Sequence, residues 1–147
     1  MKALSYRTIV ITLIAGCLVP FMLTSCLDVG GDGDRPPFGI YDTSPTDLEE
    51  GVTMDSVIVV TFECDVEGST VTTQTFRLLD DSGSAVAGDI FAGGVTANFT
   101  PDERLLPDTD YTVILDEDIL DIYGRKLGSY TGGDYEFMFT TGSDVSD

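Results

Sequence analysis

Residues 105–115 read Leu105-Leu106-Pro107-Asp108-Thr109-Asp110-Tyr111-Thr112-Val113-Ile114-Leu115, and the spacing inside them decides the fold. A leucine stands six, a proline four and a threonine two positions ahead of a tyrosine that opens an alternating run. This is the arrangement of a tyrosine corner, in which the ring packs in the core and the hydroxyl bonds to backbone a few residues upstream; it belongs to Greek-key sandwiches. Tyr111 is therefore a structural candidate, and residues 111–115 a strand entering a two-sheet core.

Outward from that corner the same period of two recurs. Ser56-Val57-Ile58-Val59-Val60-Thr61-Phe62 is dense in β-branched residues, and alternation marks Thr75–Leu79, Ala97–Thr100 and Tyr135–Thr140. Shorter strands fit FGIY at 38–41 and VAGDIF at 86–91. These are half-buried strands by their periodicity. Turn formers separate them: Asp47 to Thr53, Asp80-Asp81-Ser82-Gly83-Ser84, Gly93-Gly94, Pro101-Asp102, Pro107-Asp108 and Gly132-Gly133. The sum is an all-β, antiparallel Greek-key β-sandwich of about seven strands over residues 38–142, with 143–147 as a C-terminal tail. Its expected core is Ile58, Val60, Phe62, Phe76, Leu78, Phe99, Tyr111, Val113, Phe137 and Phe139. Asn98-Phe99-Thr100 has the form of a glycosylation sequon, but its place in the alternation reads as strand.

The N-terminus has another character. Lys2 and Arg7 precede the uncharged run TIVITLIAGCLVPFML at 8–23, the order of a secretory signal. Broken by Gly16 and Pro20, the run falls short of the roughly 20 apolar residues of a spanning helix. Leu23-Thr24-Ser25-Cys26 follows and resembles the lipobox of bacterial lipoproteins. The resemblance implies a lipoprotein signal peptide over 1–25 and a lipidated Cys26 as first residue of the mature chain. More than one acyl chain is what holds a protein stably on a membrane. Ile14-Ala15-Gly16-Cys17 fits the same pattern, so Cys17 is the alternative, but cleavage before Cys26 removes the whole apolar run. Leu27 rather than aspartate follows Cys26, which in the sorting rule of enteric bacteria resembles an outer-membrane lipoprotein. Residues 26–37 then form the lipidated cysteine and a flexible linker of glycine, aspartate and proline, short enough to keep the domain close to its membrane.

Charge excludes whole classes of partner. All 26 acids follow Cys26 and face only five bases there, Arg35, Arg77, Arg104, Arg125 and Lys126. Nucleic acid is excluded as a partner, and acidic lipid should repel the domain, so adhesion to a membrane must come from the anchor. With Cys17 removed and Cys26 lipidated, Cys64 has no intrachain partner for a disulfide. The chain has no histidine to act as its base, so Cys64 is read as a half-buried structural residue.

Several ordered motifs converge on a family. PPFGIYDTSPTDLEEGVTMDSVIVVTFECDV, FRLLDDSGSAVAGDI, ANFTPDERLLPDTDYTVIL, DIYGRKL and YEFMFTTG stand in sequence between residues 36 and 142. Together they resemble the bacterial Ig-like domain named for the SbsA surface-layer protein. The departures are Cys64, where a small polar residue is usual, and the presence of one copy. The resemblance implies an Ig-like sandwich used for spacing, display or adhesion at cell surfaces, which is fold-level analogy.

Catalysis lacks parts: no histidine, no tryptophan, and one thiol in the domain, against the needs of triads and zinc sites. Asp116, Glu117, Asp118 and Asp121 do gather after a strand, and their hard oxygens would suit calcium, with Asp116, Asp118 and Asp121 as ligands; a solvated turn is the competing account. No other cofactor is expected. The sequence thus describes a membrane-tethered envelope lipoprotein with one Ig-like domain, non-catalytic, partnered by an envelope protein or polysaccharide. The alternatives are an accessory subunit or inhibitor of a larger envelope complex, or a carbohydrate-binding module.

Overall fold

The computed structural model describes residues 35–143, so the signal peptide, Cys17, Cys26, most of the linker and the last four residues lie outside the described part. Eight strands run in the order β1 (Ile40–Ser44), β2 (Glu49–Val52), β3 (Ile58–Phe62), β4 (Phe76–Leu79), β5 (Gly88–Gly93), β6 (Thr96–Pro101), β7 (Asp110–Leu115) and β8 (Tyr135–Thr141). A 3₁₀ turn at Gly68–Thr70 and a four-residue helix, α1 (Gly128–Thr131), are the remaining elements. The strands form two four-stranded sheets, β1-β3-β6-β5 and β2-β8-β7-β4. The chain changes sheet at every step from β1 to β5 and again between β6 and β7, staying in one sheet only at the β5–β6 and β7–β8 connections. This is the Greek-key sandwich that the corner and the alternation predicted.

Two details depart from that reading. There are eight strands among the described residues, and β2 pairs with β8 in parallel, so the sandwich is antiparallel except at this one edge. The segment Asp47 to Thr53 reads as a breaker because Glu49, Glu50 and Gly51 offer no alternating apolar residue; in β2 only Val52 is buried. Pairing there is made by backbone instead, with Leu48 N–H donating to Met138 O at 2.7 Å and Gly142 N–H to Val52 O at 2.9 Å. β2 and β8 can lie parallel because the five strands between them serve as their crossover.

The core follows from the alternation. All ten expected side chains are buried between the sheets. Phe76 and Phe99 meet across the sheets with ring centroids 5.7 Å apart, and Tyr111 stacks on Phe139 at 5.6 Å. Each such ring removes a large apolar area from water, worth roughly 1.5–3 kcal/mol in transfer free energy. Residues outside the strands complete the core: Phe38, Cys64, Ile119 and Leu127 are fully buried. Cys64, expected half-buried, is fully covered, with Pro36, Pro37 and Arg125 against its sulfur.

Candidate functional site

At the tyrosine corner, the Tyr111 hydroxyl accepts a hydrogen bond from Leu106 N–H at 2.9 Å while the ring lies in the core. Thr141 continues the join, donating its hydroxyl to Leu106 O at 2.6 Å and accepting from Thr109 N–H at 3.0 Å. The corner therefore ties the loop before β7 to the end of β8. Tyr111→Phe is expected to cost about 1 kcal/mol, the net value of one hydrogen bond, with the fold unchanged. Thermal unfolding measures it, and an unshifted midpoint would show that water serves Leu106 equally well.

The opposite end of the sandwich holds the acidic loop and the point where the linker joins the domain. After β7 the chain makes a turn in which Asp116 Oδ1 accepts from Asp118 N–H at 2.9 Å, and Ile119 then dives into the core. Asp121 is next, and its side chain is wholly buried. One oxygen accepts from Tyr123 N–H at 2.9 Å and Arg125 N–H at 2.8 Å, and the other from Arg125 Nε at 2.6 Å. Gly124, at φ 79, allows the tight reversal that returns Arg125 to Asp121.

Arg125 is the hub of this end. Besides Asp121 it donates to Pro36 O at 2.9 Å, to the Tyr130 hydroxyl at 3.4 Å and to Cys64 Sγ at 3.6 Å. Burial acts to lower its pKa, but the hydrogen bond and charge of Asp121 outweigh this and hold it above the ordinary guanidinium value. Arg35 lies over the Tyr123 ring at 4.5 Å, a cation–π contact beside the same turn. Phe38 then plugs the core, stacked on Phe62 with centroids 5.4 Å apart. The linker is thus gripped at Arg35, Pro36 and Phe38 before β1 begins.

The three carboxylates expected to converge on calcium are not brought together. Asp116 caps its own turn, Asp118 pairs with Lys126 Nζ, and Asp121 faces inward to Arg125. The Asp118 bond and charge also raise the Lys126 pKa. Among the described residues, no group of three or more acidic or thiol side chains could hold a metal ion. The protein's own cations stand where an external one was expected. The signal was present in the sequence, since Asp121 and Arg125 are four apart around a glycine; the reach of Arg125 to Pro36, 89 residues away, was not.

With this geometry in view, comparison with known families decides the identity of the domain. The family described as "Bacterial Ig-like domain" matches residues 34–141. The chain belongs to that family. Among solved structures, the Ig-like domain is similar to CopC from Methylosinus trichosporium OB3b, with a TM-score of 0.58, 15% identity, and 76% of this chain and 99% of CopC covered. It is also similar to the N-terminal part of the bacterial S-layer protein SbsC, at a TM-score of 0.52 and 18% identity, over 71% of this chain and 23% of that one. The L,D-transpeptidase LdtMt1, solved in complex with imipenem, gives 0.51 and 18% over 73% of this chain and 41% of that one. The chain spans nearly all of CopC but less than half of the other two, and at these identities the likeness is one of fold. Comparison with curated protein sequences gives no match.

Proposed function

We propose that the chain is a lipid-anchored envelope lipoprotein whose single Ig-like domain, of the SbsA type, binds or displays and does not catalyse. The observation that carries this reading is the grip on the linker. Arg125 holds Pro36 O at 2.9 Å and Phe38 is fully buried, so the domain begins within a dozen residues of Cys26 in LTSC. As a coil, the eight residues from Leu27 to Asp34 would span about 16 Å on average. The domain is thereby held against its membrane, and Leu27 after Cys26 favours the outer one. A non-catalytic role is supported by the family, by the absence of histidine from the chain, and by Cys64, whose thiol is sealed in the core.

The anchor is tested in a bacterial host expressing the full chain and fed a labelled fatty acid. Cys26→Ser should abolish labelling and release the protein from membranes, while Cys17→Ser should change neither. Loss of label in the Cys17 variant alone would move the anchor to the earlier box.

A further inference from the structure

Four strands form the edges of the two sheets: β1, β5, β2 and β4. An open edge invites pairing with another chain, and native sheets blunt it with bulges, charges, prolines or covering loops. β1 carries a register shift between Ile40 and Asp42 and is stopped after Ser44 by Pro45. β2 has four residues, two of them glutamates, and an irregular register. β4 is covered by the following turn, where Val86 N–H donates to Leu78 O at 2.8 Å. β5 differs: six residues in unbroken register with β6, a single charge at Asp89, no proline, and Phe91 72% exposed.

The direction of its backbone groups can be derived. Phe62 N–H donates to Val95 O at 2.7 Å, so by antiparallel alternation Val60–Ala97 and Ile58–Phe99 are the bonded pairs between β3 and β6. β6 then turns Thr96, Asn98 and Thr100 toward β5, where their partners are Gly93, Phe91 and Asp89. Asp102 N–H donating to Ala87 O at 3.0 Å continues the same alternation. Gly88, Ile90 and Ala92 therefore point their N–H and C=O groups away from β6, where no described strand stands. The 3₁₀ turn lies against one end: a Cβ on Gly68 would come within 2.8 Å of Ala92 O. Among the described residues no backbone group pairs with Gly88 or Ile90 on that side.

A second copy paired antiparallel does not fit this edge. Antiparallel self-pairing through the open groups sets Gly88 opposite Ile90 of the other copy, which puts Asp89 directly opposite Asp89, a destabilising like-charge pair. Sliding the register until Ile90 faces Ile90 drives the second strand onto Ala92 and the 3₁₀ turn. Each chain also carries a net charge of −19. What fits is the opposite charge.

We propose that the Gly88–Ile90 edge of β5 takes an extended, antiparallel segment of a partner protein, with a lysine or arginine opposite Asp89 and an apolar residue two positions before it opposite Phe91. Main-chain bonds to Gly88 and Ile90 supply attachment, and the pair on the outer face supplies choice, as in other strand-addition complexes. This rests on the domain being a binding module.

The test uses the isotopically labelled full chain in neutral detergent and a capped hexapeptide, valine at its first position, lysine at its third and threonine elsewhere, so that antiparallel pairing sets valine opposite Phe91 and lysine opposite Asp89 without reaching Ala92. Amide hydrogen exchange at Ile90 should slow about tenfold at ten times the peptide Kd. A peptide with glutamate in place of lysine should leave it unchanged. Asp89→Lys should invert that preference, and Ile90→Pro, which removes only an outward N–H, should abolish the peptide-induced shifts of the Asp89 and Phe91 amide resonances while keeping the β5–β6 bonds. Protection at β1 or β2 instead would overturn this site and leave the binding-module reading standing. The site is also overturned if Asp89→Lys does not change the preference, if Ile90 is protected without peptide as protein concentration rises, or if no amide slows. The anchor, read separately by lipid labelling, is unaffected by any of these.

Discussion

Replacing Asp121 by alanine should destabilise the domain by about 3 kcal/mol, because breaking a buried ion pair strands its partner at a cost of roughly 3–5 kcal/mol. The lower end applies because the Arg125 side chain keeps 21% exposure while Asp121 has none. The loss is compound: the guanidinium loses its counter-charge, and the N–H groups of Tyr123 and Arg125 lose their acceptor. For a domain of this size that corresponds to a fall in Tm of about 12 °C. Asp121→Asn keeps an acceptor oxygen and should lose about half as much. Calorimetry settles the matter. A cost below about 1 kcal/mol would place the pair in the range of an exposed surface bridge and remove Arg125 as the hub of the linker grip.

Phe38→Ala should cost about 4 kcal/mol, within the range measured for phenylalanine truncation in cores. The ring is fully buried and stacked on Phe62, so its removal leaves a cavity whose walls belong to strands that cannot collapse independently. Tyr41, three residues later and 76% exposed, supplies the control: its alanine variant should stay within about 0.5 kcal/mol of the parent. Equal effects at the two positions would mean that the domain begins after Phe38 and that the linker is longer and looser than the structure has it. A large effect at Phe38 alone makes it the last fixed point before the membrane, and with it sets how far β5 can reach for a partner.

The two predictions differ in how visible their residues are before folding. Phe38 follows two prolines and opens an apolar segment, so its inclusion at the start of the domain is legible in the chain itself. Asp121 is not legible in the same way. In a stretch containing Asp116, Glu117, Asp118 and Asp121, composition alone suggests a cation site, and nothing local says that Asp121 points inward while Asp116 caps its turn and Asp118 pairs with lysine. Burial chose among them. Ile119 and Leu127 enter the core on either side of the turn, and Asp121 between them is carried inward with Arg125 as its counter-charge.

Period-two alternation was sufficient for the sheets and the inner face, and the spacing before Tyr111 for the corner, because both are relations between residues a few positions apart. They hold whatever the rest of the chain does. The parallel pairing of β2 with β8, the grip of Arg125 on Pro36, the closure over Cys64 and the open backbone of Gly88 and Ile90 are relations of another kind. β2 has no apolar alternation of its own and is a strand because β8 offers it carbonyls; β5 is an edge because the chain crosses to the other sheet after β6. Such features depend on which distant segments arrive as neighbours, and a sequence read along its length carries no term for a neighbour supplied by the closing of the fold.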